Sequence, residues 1–274
     1  MSKRLLLIFL AAAVFLTACG GNSSSWETEE VVEASDRLMA DMVKANWTVR
    51  EDGANGTLIA VELTTKDGES IETFDLNHEK LLHLIVISED LSYFAHLHPE
   101  YRGGGVFEIH NEFPAGGNYR FIADFKPAGG DSMTKLEWKT VDGEPAAPAV
   151  ITPSAELTDS EGGRKVDLIA AELGANKAAT LTFTISDEAS GAPVTDLEPY
   201  LGAIGHVVVL SADGERYVHV HAEGEQGTGP EARFEATFPT SGIYKIWGQF
   251  QQNGEVFTVD YVVDVPNDVS AGGF

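Results

Sequence analysis

From Trp47 onward, short runs rich in Val, Ile, Thr, Phe and Tyr are separated by clusters of Gly, Asp, Asn and Pro. "TLIAVELTT", "LLHLIVIS", "YFAHLH" and "NYRFIADF" form one set; "KVDLIAAEL", "ATLTFTIS", "GHVVVLS", "YVHVH", "IYKIWGQF" and "VFTVDYVVDV" form a second. β-branched and aromatic runs of this length, bounded by turn residues, predict strands, and their spacing predicts an all-β fold. Between the sets, residues 144–153 ("EPAAPAVITP") lack a strand pattern and read as a proline-stiffened linker. The expected layout is a β-sandwich repeat at 47–143, the linker, a second repeat at 154–266 and a flexible tail at 267–274. Residues 20–46 are acidic, with Val31, Leu38 and Met42 at helical spacing and a capping pair at Ser24 and Glu27, so a helix or tether is expected there.

The two sets are an internal repeat. "HLIVISEDLSYFAHLH" (His83 to His98) and "HVVVLSADGERYVHVH" (His206 to His221) agree at six of sixteen positions, three of them histidine. "FPAGGNY" (Phe113 to Tyr119) and "FPTSGIY" (Phe238 to Tyr244) share Phe-Pro-x-x-Gly-x-Tyr. This tyrosine after a turn glycine resembles the tyrosine corner of immunoglobulin-like sandwiches, and the resemblance implies two tandem domains of that class. The same strand also looks like small bacterial YtkA/FixH-type domains, and sandwich domains of this kind include copper-handling periplasmic proteins.

Each sixteen-residue window reads as a hairpin, with Asp90-Leu91 and Asp213-Gly214 as the centres of tight turns, the second carrying a type I′ signal. That register sets His83 opposite His98 and Ile85 opposite His96, with Val208 opposite His219 and His206 opposite His221. Alternation then directs His83, His96 and His98 to one face, and His206, His219 and His221 likewise. Cross-strand Cβ atoms about 4.5–5.5 Å apart allow three imidazoles to reach one ion at metal–nitrogen distances of about 2.0–2.1 Å. Packing alone tolerates exchange of histidine for Leu, Phe or Tyr, whereas ligation does not, so the retained histidines favour metal over a structural role. Asp124 and Gln249 match in the repeats and suit hydrogen bonding to a ligating imidazole. His78, in a connection, could be an extra ligand but is expected at the surface, as is His110, alternating with Glu108 and Glu112; Glu100 could approach the open end of the first hairpin.

Thiolate and thioether sites are disfavoured, because Met39, Met42 and Met133 lie outside the hairpins and Cys19 is the sole cysteine. Imidazole ligands suit Cu(II) first, on affinity, and Zn(II) second. The start of the chain, "MSKRLLLIFLAAAVFLTACGG", has Lys3 and Arg4 ahead of an apolar run too short to span a membrane, the pattern of an export signal over 1–19. Leu16-Thr17-Ala18-Cys19 resembles the lipobox of bacterial lipoproteins, which implies acylation of Cys19 and an extracytoplasmic, lipid-anchored location. With 18 Lys+Arg against 43 Asp+Glu, the chain repels nucleic acid and attracts cations. The expected activity is capture, buffering or delivery of copper or zinc, with membrane lipid, the ion and a membrane metalloprotein or transporter as the classes of partner. An enzyme is not expected, since no acid stands at the same place beside both histidine sets. A zinc-dependent hydrolase, and an interaction or metalloenzyme-assembly module with structural histidines, are the alternatives.

Overall fold

The strands alternate buried and exposed side chains over most of their length, as in β16 (Glu231–Thr237), where Ala232, Phe234 and Ala236 face inward between exposed Glu231, Arg233 and Glu235. The computed structural model describes residues 38–267; Cys19, the signal segment, the tether up to residue 37 and the tail from 268 lie outside them. The first strand, β1 (Val43–Glu51), begins ahead of the expected Trp47, after a 3-10 turn at Ala40–Met42 rather than a helix reaching Asn46.

The fold is all-β. In the first repeat, β2 (Thr57–Thr65), β6 (Glu100–Gly103) and β7 (Val106–Asn111) join β1 in a sheet ordered β1-β2-β7-β6. The facing sheet is ordered β3-β8-β4-β5, from β3 (Phe74–Asp75), β4 (Leu82–Ser88), β5 (Phe94–Leu97) and β8 (Gly117–Pro127), with β9 (Met133–Val141) also paired to β8. The second repeat has the same plan. One sheet is β10-β11-β12-β16-β15, comprising β10 (Thr158–Glu161), β11 (Arg164–Ala171), β12 (Ala178–Asp187), β15 (Val220–Ala222) and β16. The other is β14-β13-β17-β18, comprising β13 (His206–Ser211), β14 (Tyr217–Val218), β17 (Gly242–Gln252) and β18 (Glu255–Val265). Each pair of sheets closes on an aromatic core, with Phe107, Phe121 and Phe125 in the first and Phe183, Phe234 and Phe250 in the second. The repeated tyrosines tie strand to loop as the motif implied: Tyr119 Oη donates to the Ala115 carbonyl at 2.8 Å, and Tyr244 Oη to that of Thr240 at 3.0 Å.

The linker has no strand of its own. It is nevertheless held, because the Ala149 amide donates to Asp90 Oδ2 at 2.9 Å and Ile151 packs between the repeats.

β4 and β8 are buried almost continuously, not alternately, because their second face is covered by the other repeat. Ile85, Ile87, Leu91 and Ile122 of the first repeat form a separate apolar cluster with Val208, Leu210 and Trp247 of the second, and Phe94 stacks on Trp247 at 5.0 Å and 15°. The register makes Ile85 and Val208, Ile87 and Leu210, and Ile122 and Trp247 equivalent positions. The contact therefore pairs one patch with its own counterpart, the arrangement of a two-fold dimer interface within one chain. Its polar links start from equivalent positions but end on different loop groups. Arg120 Nη2 donates to Glu215 Oε2 at 3.1 Å, and Lys245, at the position equivalent to Arg120, donates to the Leu91 carbonyl at 3.0 Å.

The hairpin turns differ from expectation. A type I′ turn centred on Asp213-Gly214 needs positive φ at both residues, but only Gly214 has it. Instead, Leu91 N donates to the Ser88 carbonyl and Gly214 N to that of Ser211, leaving four-residue loops closed by Ser88–Tyr93 and Ser211–Arg216. Asp90 Oδ1 accepts from Ser88 Oγ and the Ser92 amide, and Asp213 Oδ1 from Ser211 Oγ and the Glu215 amide. Serine and aspartate recur in both windows because they build this loop. Gly214, at φ +71°, is also fixed by packing, since a Cβ there would run into the Trp138 ring.

Candidate metal centre

In the first repeat, β4 carries His83 beside Asp124 of β8, and β5 carries His96 opposite Ile85, the register expected from the sequence. His98 follows β5 directly. Among the described residues, His83, His96 and His98 can each offer a ring nitrogen such that the three atoms lie within 4.8 Å of one another.

The hydrogen bonds around this trio determine which nitrogens are free. Asn77 and Lys80 close a tight turn by reciprocal backbone bonds, with His78 (φ 46°) and Glu79 (φ 66°) at its centre. The turn presents the Asn77 carbonyl to His83 Nε2 at 2.8 Å. A carbonyl only accepts, so Nε2 carries the proton and Nδ1 of the neutral ring holds a lone pair. Gln249 Nε2 donates to Thr258 Oγ1 at 3.2 Å, which turns its Oε1 toward His96 Nδ1 at 2.7 Å. His96 therefore protonates at Nδ1 and holds a lone pair at Nε2. These two lone pairs face each other, with His83 Nδ1 and His96 Nε2 2.9 Å apart. Two ligands on a tetrahedral ion at about 2.0–2.1 Å stand about 3.3 Å apart, so a shift of a few tenths of an ångström would admit one. His98 Nε2 is buried and has no hydrogen-bond partner. The residues fit a metal: two opposed lone pairs and one unsatisfied nitrogen converge where a cation would relieve all three.

Electrostatics agrees. Burial lowers His83 to about 4 despite the bond to the Asn77 carbonyl, lowers His98 to about 4, and holds His96 well below the ordinary histidine value. The trio is neutral at pH 7, the state that ligation needs.

The second repeat does not copy this trio. His206 pairs across the sheet with Gln249 as His83 does with Asp124. Its ring stacks on His83 at 5.7 Å and 12°, and lies 4.8 Å from His96, so it joins the first set. Burial lowers it to about 3. The expected facing of Val208 with His219 and His206 with His221 is not formed. The hairpin ladder ends at Val209 with Val218, and the chain then crosses to the other sheet, where His221 pairs with Glu235. In the first repeat that crossing comes only after Leu97, at Pro99. His219 and His221 are exposed, with ring centroids 4.5 Å apart.

Gln249 reaches across to the opposite repeat, whereas Asp124 hydrogen-bonds within its own. Gln249 holds His96 of the first repeat, while Asp124 Oδ2 lies 3.9 Å from His219 Nδ1 of the second and its Oδ1 accepts from Asn77 Nδ2 at 3.3 Å. Burial raises Asp124 to about 7. His78, expected at the surface, is half-buried with its ring 5.6 Å from His206. The sequence favoured a surface place for it because the second repeat has no matching histidine: the equivalent turn carries Leu201 there. His110 is exposed and bound to Asp52 at 2.8 Å, and Glu100 pairs with Arg102 at 2.7 Å; neither is in the cluster.

No curated protein matches the chain. Solved structures similar to it include a chimeric titin Z1Z2-Z1Z2 tandem, at 12% identity and a TM-score of 0.21, covering 82% of this chain and all of that one. Domains 4 and 5 of the S-layer protein SbsC (12%, TM-score 0.22, covering 81% and 96%) and MtrC from Shewanella baltica OS185 (6%, TM-score 0.24, covering 80% and 68%) are others. The architecture is read from this chain's own strand pairing. The family model described as Domain of unknown function (DUF8832) matches residues 40–142 and 158–267, thus both sandwiches, and the chain belongs to that family.

Proposed function

We propose that the protein is a metal carrier that captures, buffers or delivers a divalent ion, Cu(II) first and Zn(II) second, through His83, His96 and His98. The observation that carries this reading is the pair of opposed lone pairs on His83 Nδ1 and His96 Nε2, 2.9 Å apart beside the unpartnered His98 Nε2. Packed structural histidines would use those nitrogens in hydrogen bonds of their own. Three neutral imidazoles leave a further coordination position for water or a recipient's ligand, as transfer requires. Affinity order favours copper over zinc for such a set. Met133 is buried in the first sandwich core and Met39 and Met42 are exposed, so none of these sulfurs competes for the role.

The lipobox-like Leu16 to Cys19 supports an acylated, extracytoplasmic protein tethered at a membrane surface. There the acidic surface would concentrate cations, and a membrane metalloprotein or transporter would be the natural recipient. Elemental analysis with competitive Cu(II) and Zn(II) titration of the purified protein tests the reading. One tightly held ion is expected, lost in His83→Ala and in His96→Ala; undiminished tight binding in either variant overturns it.

A further inference from the structure

We propose that the trio of His83, His96 and His98 is a redox-poised copper site: copper captured as Cu(II) is held and passed on as Cu(I). The inference rests on the metal-carrier reading and names the state in which the ion leaves.

The shape of the trio carries it first. Ring centroids of His83 and His96 are 5.1 Å apart, those of His83 and His98 5.1 Å, and those of His96 and His98 4.9 Å. The rings thus stand at the corners of a nearly equilateral triangle. Cu(II) prefers a square plane, and three imidazoles placed in that plane must include one opposite pair, with centroids about 6 Å apart or more. No pair in the trio is so far apart. The rings are also kept from spreading, because His83 Nε2 is tied to the Asn77 carbonyl at 2.8 Å and His96 Nδ1 to Gln249 Oε1 at 2.7 Å. Cu(I) has a filled d shell, makes no such geometric demand, and accepts a three-cornered set.

Charge acts in the same direction. Three neutral imidazoles bring no negative charge, and among the described residues no carboxylate belongs to the group. Asp124, across the sheet from His83, directs Oδ1 to Asn77 Nδ2 at 3.3 Å, and its Oδ2 lies 3.9 Å from His219 Nδ1. Lys80, which closes the turn with Asn77, adds a positive field at His83 and His98. His83 is 1% exposed and His98 Nε2 is buried, so a bound ion keeps its full charge in a poorly solvated place. The cost of burying an ion grows as the square of its charge, about fourfold from Cu(I) to Cu(II).

The redox step needs one electron per ion and breaks no bond to the trio. Two outside thiols reduce two Cu(II) ions, leaving as one disulfide and releasing two protons to water.

The test is anaerobic competition titration of the full chain in detergent, Cu(I) against a Cu(I)-specific chelator and Cu(II) against an amino-acid competitor, with a mediated redox titration of the copper-loaded protein. Cu(I) should be held at least about a hundredfold more tightly than Cu(II), equivalent to a reduction potential about 120 mV above that of the aqueous couple. His98→Asp, which brings a carboxylate into the set, should reverse the order. Lys80→Gln, which leaves all three ligands in place, should narrow the gap. Cu(II) held as tightly as Cu(I) or more so in wild type overturns the redox inference and leaves the carrier reading intact, as does a chain that takes Zn(II) but neither state of copper. A ratio that neither substitution moves overturns it as well, since the trio would then not set the state. A chain that binds no metal overturns both.

Discussion

The two repeats share strand order, turn loops, tyrosine corners and interface positions, yet they differ at the open end of one hairpin. In the first, the strand stays with its partner through Leu97 and delivers His96 and His98 to His83; in the second it departs after Val218, and His219 and His221 end on the surface. Identical histidine spacing thus gives two different outcomes. Where a strand changes sheets determines which side chains converge, and a ligand pattern is completed only by the register that surrounds it.

The largest test of this asymmetric pair concerns the contact that holds it together. Trp247 is 2% exposed, stacked on Phe94, and stands where the first repeat has the smaller Ile122. Trp247→Ala should cost about 3–5 kcal/mol in denaturant unfolding. A loss below about 1 kcal/mol would mean that the repeats do not depend on this interface. Next is the support lent to His96 across the repeats. Gln249→Leu should weaken Cu(II) binding at the trio about 10–100-fold by freeing the His96 tautomer, whereas Asp124→Asn, whose side chain keeps its place beside Asn77, should change it far less. Equal losses in the two would erase the distinction drawn between them.

The smallest effect is a pH dependence of the metal-free protein. His83 and His98 titrate at about 4 and His206 at about 3, against about 6.5 when unfolded. The unfolded chain then binds more protons below that value, so stability is complete above about pH 6.5 and declines as pH falls toward 4. Asp124 acts oppositely, because its folded value of about 7 lies above the unfolded one, and it adds stability as pH falls from about 7 to 4. Three histidines outweigh one carboxylate, so the thermal midpoint should drop between pH 7 and 5. A flat or rising midpoint would contradict the burial of these rings.

Much of the fold was legible because strand alternation and turn composition are local properties. The register of the first hairpin followed from them, as did the tyrosine ties. The turn type did not: at Asp213-Gly214 only the glycine takes a positive φ, because the Asp213 side chain, bonded to Ser211 Oγ and the Glu215 amide, closes a four-residue loop instead. The docking of the repeats left a trace that went unread. "LLHLIVIS" and "HVVVLS" are continuously apolar, the mark of strands covered on both faces. The roles of His78, Asn77 and Gln249 depend on contacts between distant segments, which no spacing rule conveys. His96 and Gln249 are 153 residues apart.

That separation has a temporal side. During synthesis, the three imidazoles of the first repeat emerge long before the amide that orients one of them. If the trio binds metal as proposed, a nascent polypeptide has the ligands but not their alignment, and firm retention of an ion would wait until the distal half has folded and docked. Cargo held by this protein would therefore certify a finished molecule.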